Sequence, residues 1–338
     1  MPNESPSGQR DQAVLVTGSA GHLGEAVMRY LRAAGRSAVG LDLKASAFTN
    51  HVGSICDKGF VARCMQHVSA VVHAATLHKP HVATHSWQDF VEVNVTGTLH
   101  LLEAAVAAGV RSFIYVSTTS TFGEALYPAA AEPAIWVTET LIPRPKNIYG
   151  STKLMAEGLC ELAHRQRQLP IMILRTSRFF PEPDDAADIR HQYQVANAQA
   201  NELLYRRVDI EDVVSALVSA IDRAPRIGFC RYIISATTPF SPNDLELLRR
   251  DAAQVVGRLF PEYVALYAAR GWTMFPRIDR VYVNERARTA LEWQPKYDFA
   301  HVLDCLRANR DFHSALAREV GSKGYHDRDF GERPYPVD

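Results

Sequence analysis

The chain has 338 residues, 47% of them hydrophobic and 22% charged, with 37 Lys and Arg set against 37 Asp and Glu. That length allows a large buried core, and the even charge balance argues against a dedicated nucleic-acid or membrane-surface binder. No apolar run reaches bilayer length, and the polar start Met1–Gln12 lacks the basic-then-apolar order of a signal peptide. Cys56, Cys64, Cys160, Cys230 and Cys305 are scattered without a CxxC pair, which predicts reduced thiols in a cytoplasmic protein and no zinc site.

Taken in chain order, short apolar runs alternate with helical patterns, the mark of an α/β, doubly wound parallel sheet. Ala13–Thr17 predicts a buried strand, and His22–Ala34 a helix stopped by Gly35. Ser37–Asp42, Ala70–Ala74 and Ser112–Ser117 predict further strands, with a long helix over Trp87–Ala108. A helix over Tyr149–Gln168 and a strand over Pro170–Arg175 follow. Beyond Arg175 the pattern loosens: helix over Val208–Ala220, strand over Arg231–Ile234, helix over Pro242–Gly257. This smaller C-terminal portion is expected to cover the carboxyl ends of the strands, where open α/β sheets hold ligands.

The first strand runs into Gly18-Ser-Ala-Gly21-His22-Leu23-Gly24 and straight on into a helix. Glycines permit the tight turn and close backbone approach that a pyrophosphate needs, and the helix N-terminus supplies free N–H groups and a positive dipole end. Gly18, Ala20, Gly21, His22, Leu23 and Gly24 are therefore candidate dinucleotide contacts. Asp42, eighteen positions after Gly24 (42 − 24), closes the second strand. A carboxylate there accepts from an adenosine ribose and repels a 2′-phosphate, so NAD is favoured over NADP, with Lys44 close enough to soften the preference.

Tyr149-Gly-Ser-Thr-Lys153 places a phenol and an ammonium on one face of a predicted helix. A free phenol, with a pKa of about 10, is a poor base; a nearby ammonium and the charge of an oxidised nicotinamide would bring it into range. Tyr149 then serves as general base or acid, with Lys153 its partner. Hydroxyls follow the strand Ser112–Ser117, and one of them is expected to orient a substrate oxygen.

These motifs stand in one order along the chain: TGSAGHLG (17–24), LDL (41–43), GSICD (53–57), VVHAAT (71–76), NVTGTLHLLEAA (94–105), FIYVSTTSTFG (113–123), YGSTKLMAE (149–157), LR (174–175), VDIEDV (208–213) and LEWQPKYDF (291–299). In this the chain resembles the NAD-dependent epimerase/dehydratase family, the extended short-chain dehydrogenases, over nearly its whole length. The resemblance implies a Rossmann-type domain over 11–175, a mainly substrate-binding portion over 176–320 with some segments returning to the sheet, a flexible N-terminus over 1–10 and a tail over 321–338. It implies Thr118 as the catalytic hydroxyl beside Ser117, with Tyr149 and Lys153. Ile55 and Asp57 would meet the adenine, Ala74, Ala75 and Thr76 the phosphates and ribose, and Asn94 would support the site from its helix. Helices 87–108 and 149–168 build dimer interfaces in relatives, so a homodimer is the expectation.

Departures bear on the substrate. Where sugar-nucleotide epimerases carry an Asn after the LR strand, this chain has Arg178, and an Arg expected before the VD motif is matched by Leu203. Arg178 is a candidate clamp for a carboxylate or phosphate of a smaller substrate, with Thr118, Thr119 and Lys79 as further substrate contacts. His78, His81 and His85 lack a neighbouring carboxylate in sequence and read as a loop lining the entrance, with no metal expected. Trp272 and Phe275 read as packing residues. A dehydratase would want an acidic pair where Thr119 and Ser120 stand. The expected function is hydride transfer between NAD and a carbinol carbon of a sugar-like substrate; the alternatives are a nucleoside-diphosphate-sugar 4-epimerase with permanently bound NAD, and a non-catalytic NAD-binding sensor.

Overall fold

The computed structural model describes residues 13–324. The N-terminal segment over 1–10 and the tail from 325 onward lie outside the described residues.

β1 (Ala13–Thr17), whose five residues are all buried, leads through the glycine loop into α1 (His22–Ala33). Gly35 follows with a φ of +68°, the left-handed turn that ends such a helix. β2 (Ala38–Asp42), the two-residue β3 (His51–Val52), α2 (Lys58–Cys64) and β4 (Val68–His73) come next. The long helix expected over 87–108 is a single run with a defect inside it: α3 (Trp87–Val91), a π-helical stretch at Glu92–Thr96, and α4 (Gly97–Ala107). π turns of this kind often mark functional positions, and this one holds Asn94. β5 (Ser112–Thr118), β6 (Ile135–Val137), α5 (Ile148–Arg167) and β7 (Ile171–Thr176) complete the first half.

The second half holds α6 (Ala187–Gln192), α7 (Val195–Glu202), α8 (Ile210–Ile227), β8 (Phe229–Ile234), β9 (Arg280–Tyr282) and further short helices. α8 starts two residues later than expected because the Asp209 side chain caps it, accepting from Glu211 N at 2.8 Å, and it runs on to Ile227. The helix expected over 242–257 is broken: Asp251 caps a new helix, Ala252–Leu259, by accepting from Gln254 N at 3.0 Å.

Seven strands form one sheet in the order β3-β2-β1-β4-β5-β7-β8, and every pairing is parallel. Alternate residues face opposite ways. Val14, Val16, Val72, Ile114, Met172 and Leu174 pack against α1 and α8. Leu15, Val71, Phe113, Tyr115, Ile171 and Ile173 pack against α2, α4 and α5 on the other face. A third core, with Leu203, Phe240, Val255, Tyr267 and Phe299, lies in the second half; Trp272 packs against it, edge-on to Tyr267 with ring centroids 5.4 Å apart. β6 and β9 pair with each other, apart from the main sheet. All five cysteines are free thiols.

Candidate active site

A cleft of about 1210 Å³ is lined at the carboxyl ends of β1, β2, β4, β5 and β7. Its first wall is made of backbone. Gly18 has a φ of +75°, and Gly21 N donates to Gly18 O at 3.0 Å to close the turn. A Cβ on Gly24 would stand 1.9 Å from Gly18 O, and one on Gly18 would stand 2.8 Å from Ala75 N. No side chain caps the start of α1 among the described residues, so its first N–H groups face the cleft as an anion cradle. These residues fit a dinucleotide pyrophosphate. Ala20, Gly21, His22, Leu23 and Gly24 all line the cleft, as do Ile55, Ala74, Ala75 and Thr76.

Asp42 lies at the edge of this wall, its carboxylate accepting from Ala20 N at 3.0 Å and Lys44 N at 2.8 Å. That position suits an adenosine ribose. Asp57, two residues beyond the cleft-lining Ile55, caps α2 through Oδ1, which accepts from Phe60 N at 2.9 Å.

Asn94 uses both ends of its amide. Oδ1 accepts from Leu77 N at 2.8 Å and Thr76 Oγ1 at 2.9 Å, while Nδ2 donates to Leu77 O at 3.0 Å and Thr152 Oγ1 at 3.1 Å. It therefore ties the turn after β4 to α5, the helix that carries Tyr149 and Lys153.

Thr118 and Tyr149 both line the cleft, near enough for the Thr118 side chain to act on the phenol. Burial pushes the Tyr149 phenol up to about 12, with the Thr118 side chain working against that rise. Lys153 is buried, its Nζ donating to Val116 O at 2.7 Å and standing 4.1 Å from the centre of the Tyr115 ring. Burial brings its ammonium down to about 7, against the pull of Cys160 and Glu157. The expectation that Lys153 draws the phenol down thus finds no counterpart in this arrangement, because the ammonium is turned to the end of β5.

Ser117 lines the cleft, and its hydroxyl donates to Glu157 Oε1 at 2.6 Å. Glu157 receives Arg175 as well, at 2.9 and 2.6 Å, and Arg231 at 3.3 Å. Sequence reasoning missed this buried node, although Glu157 follows Lys153 by four positions and so shares its face.

Arg178 lines the cleft. Its guanidinium donates to Asp185 at 3.1 Å and to the carbonyls of Glu182 and Pro183 at 3.2 and 2.7 Å, holding its own loop. Lys79 pairs with the same Asp185. Leu203 is buried in the third core. Nearby, Glu202 binds Arg206 at 2.6 Å and Arg207 at 2.7 Å, and Arg206 also meets Asp184. Thr119, Arg280 and Tyr282 line the cleft too, the last two unforeseen from the sequence.

His78, His81 and His85 form a row along the cleft, ring centroids 5.8 and 5.2 Å apart. His78 stacks on Tyr149 at 6.3 Å with an interplanar angle of 18°, and burial, aided by His81 and Lys153, brings its imidazole down to about 3. At the opposite rim Ser322 and Lys323 cross the glycine loop. His22 Nε2 lies 3.0 Å from both Lys323 N and the Glu182 carboxylate, Ser322 donates to Glu182 at 2.7 Å, and Lys323 Nζ reaches Glu25 at 2.5 Å.

The family model described as the NAD dependent epimerase/dehydratase family matches residues 14–228. UDP-glucose 4-epimerase of Streptomyces lividans is 30% identical over 43% of this chain and 45% of its own length. NAD-dependent glucose-6-phosphate dehydrogenase of Haloferax volcanii is 26% identical over 49% of this chain and 68% of its own. The chain spans 40% and 45% of the lengths of the first two curated relatives it matches. Among solved structures, a short-chain dehydrogenase/reductase superfamily protein of Agrobacterium tumefaciens with bound NAD superposes with a TM-score of 0.61 at 26% identity, over 91% of this chain and 99% of that one. Among the described residues, no helix is long and apolar enough to cross a membrane.

Proposed function

The chain belongs to the NAD-dependent epimerase/dehydratase family, and on that premise we propose that it transfers a hydride between NAD and a carbinol carbon of a sugar or sugar derivative, with Tyr149 carrying the proton. The observation that supports this most is that Tyr149 and Thr118 line one cleft, whose other wall is a pyrophosphate cradle. Gly18–Gly24 would hold the pyrophosphate, Asp42 the adenosine ribose, and Lys153 the ribose beside the nicotinamide. Bound NAD supplies the hydride acceptor and, when oxidised, a positive charge beside the phenol.

In oxidation, Thr118 holds the substrate oxygen, the carbinol carbon gives up its hydride, and the hydroxyl proton passes to the phenolate of Tyr149, leaving a carbonyl. In reduction, the neutral phenol returns the proton to that oxygen. A phenol pushed up to about 12 by burial is protonated at neutral pH and ready for the reductive step; oxidation then gains rate as pH rises. Asn94 and Glu157 touch no substrate in this scheme and act by holding α5 in place. Tyr149→Phe is expected to lower turnover about 10³-fold while leaving NAD affinity unchanged, read by NADH absorbance and product stereochemistry over a panel of sugars. Undiminished turnover in the variant would sink the reading.

A nucleoside-diphosphate-sugar 4-epimerase that keeps its NAD is the second reading, favoured by relatives of that name. Purified protein that retains NAD and interconverts epimers without net NADH would establish it. We also propose a homodimer through α4 and α5, whose Leu99, Met155 and Leu162 are 39%, 54% and 38% exposed. Apolar side chains on a shared outer face suit a partner surface.

A further inference from the structure

The basic residues of the cleft are not equivalent. Lys79 and Arg178 are neutralised by Asp185, Arg206 by Asp184 and Glu202, and Lys323 by Glu25. Lys44 belongs to the adenosine end beside Asp42, and Lys146 is exposed with its ammonium 5.2 Å from the centre of the Tyr127 ring.

Arg280 differs from all of these. It sits on β9 and lines the cleft with Tyr282, two positions on and so on the same face of the strand. Its side chain lies near Tyr282, Tyr205 and a second cation, Arg206. Among the described residues Arg280 makes no ion pair, whereas Arg178 and Arg206 do; its Nε, like that of Arg206, is buried without a hydrogen-bond partner. Enclosing a guanidinium beside another cation, with no anion of its own, costs free energy. An incoming oxyanion recovers that cost, and the planar fork fits a carboxylate or phosphate with two parallel bonds. Because Arg280 is carried on a paired strand rather than a loop, its place is set before the ligand arrives.

We infer that Arg280 selects the substrate by receiving an oxyanion, a carboxylate or a phosphate, carried by the sugar; this rests on the function proposed above. Arg178 has the loop role already described, so specificity lies on the second, smaller sheet instead.

The test uses the NAD-loaded full chain and calorimetric titration with a neutral hexose, a hexuronate, a hexose 6-phosphate and a nucleoside-diphosphate hexose. At least one oxyanion-bearing sugar should bind about ten- to a hundredfold more tightly than the neutral hexose, and which one does so names the anion. Arg280→Gln should erase that advantage and leave neutral-hexose and NAD affinities as they were, and Arg280→Lys should keep part of it. Equal binding of neutral and anionic sugars, or a preference that survives Arg280→Gln, overturns the inference and leaves the sugar reading standing. A loss for every sugar alike assigns Arg280 a structural role and overturns it too. If no sugar of any kind binds while NAD does, the proposed function itself falls, and this inference with it.

Discussion

The two walls of the cleft are built by opposite means. The nucleotide wall is backbone: a left-handed glycine, an uncapped helix start, and contacts so close that Gly24 has no room for a Cβ. The facing wall is side chain: Lys79, Arg178 and Arg206, bound by Asp184 and Asp185 within the cleft and by Glu202 behind it. A backbone site depends on a few adjacent residues and tolerates no added atoms. A side-chain site depends on charges balanced between distant positions, and it can change its ligand by changing one of them.

Three experiments bear on that contrast. The largest effect should come from Glu202→Gln, because Glu202 is 1% exposed and holds two arginines. Removing one partner of a buried ion pair costs about 3–5 kcal/mol. Urea unfolding should register that loss while the folded fraction binds NAD normally; a weakened NAD affinity would mean that the walls are not independent. Gly24→Ala comes next. Relieving a Cβ placed 1.9 Å from Gly18 O requires the loop to move, at about 1–3 kcal/mol. Thermal unfolding and NAD titration should both shift, and a variant that binds NAD as before would show that the cradle is not held by close approach. Smallest for either wall is Met155→Glu, which on the dimer proposal should halve the mass in sedimentation with NAD affinity intact. A wild-type protein that sediments as a monomer removes the proposal.

The same contrast explains what the sequence shows and what it hides. β1, α1, β2 and the Tyr149–Lys153 face of α5 are local patterns, and their edges fall within two residues of the expected ones. Asn94 as a support was legible from the resemblance, but the π stretch that carries it was not, because its residues keep an ordinary helical pattern. The bond from Ser117 to Glu157 was hidden because its partner lies forty positions on. The pairing of Arg178 with Asp185 was hidden too, because Asp185 also receives Lys79 from a distant loop.

The crossing of Lys323 over the glycine loop has a kinetic side. The bond between Lys323 and His22 spans 301 positions, and that between Lys323 and Glu25 spans 298. Contacts between remote positions carry the largest loop-closure entropy and are the slow ones to form. The cofactor cradle begins in the first thirty residues, yet its rim closes only when Lys323 arrives. Refolding followed by NAD binding should therefore lag behind refolding followed by backbone signal.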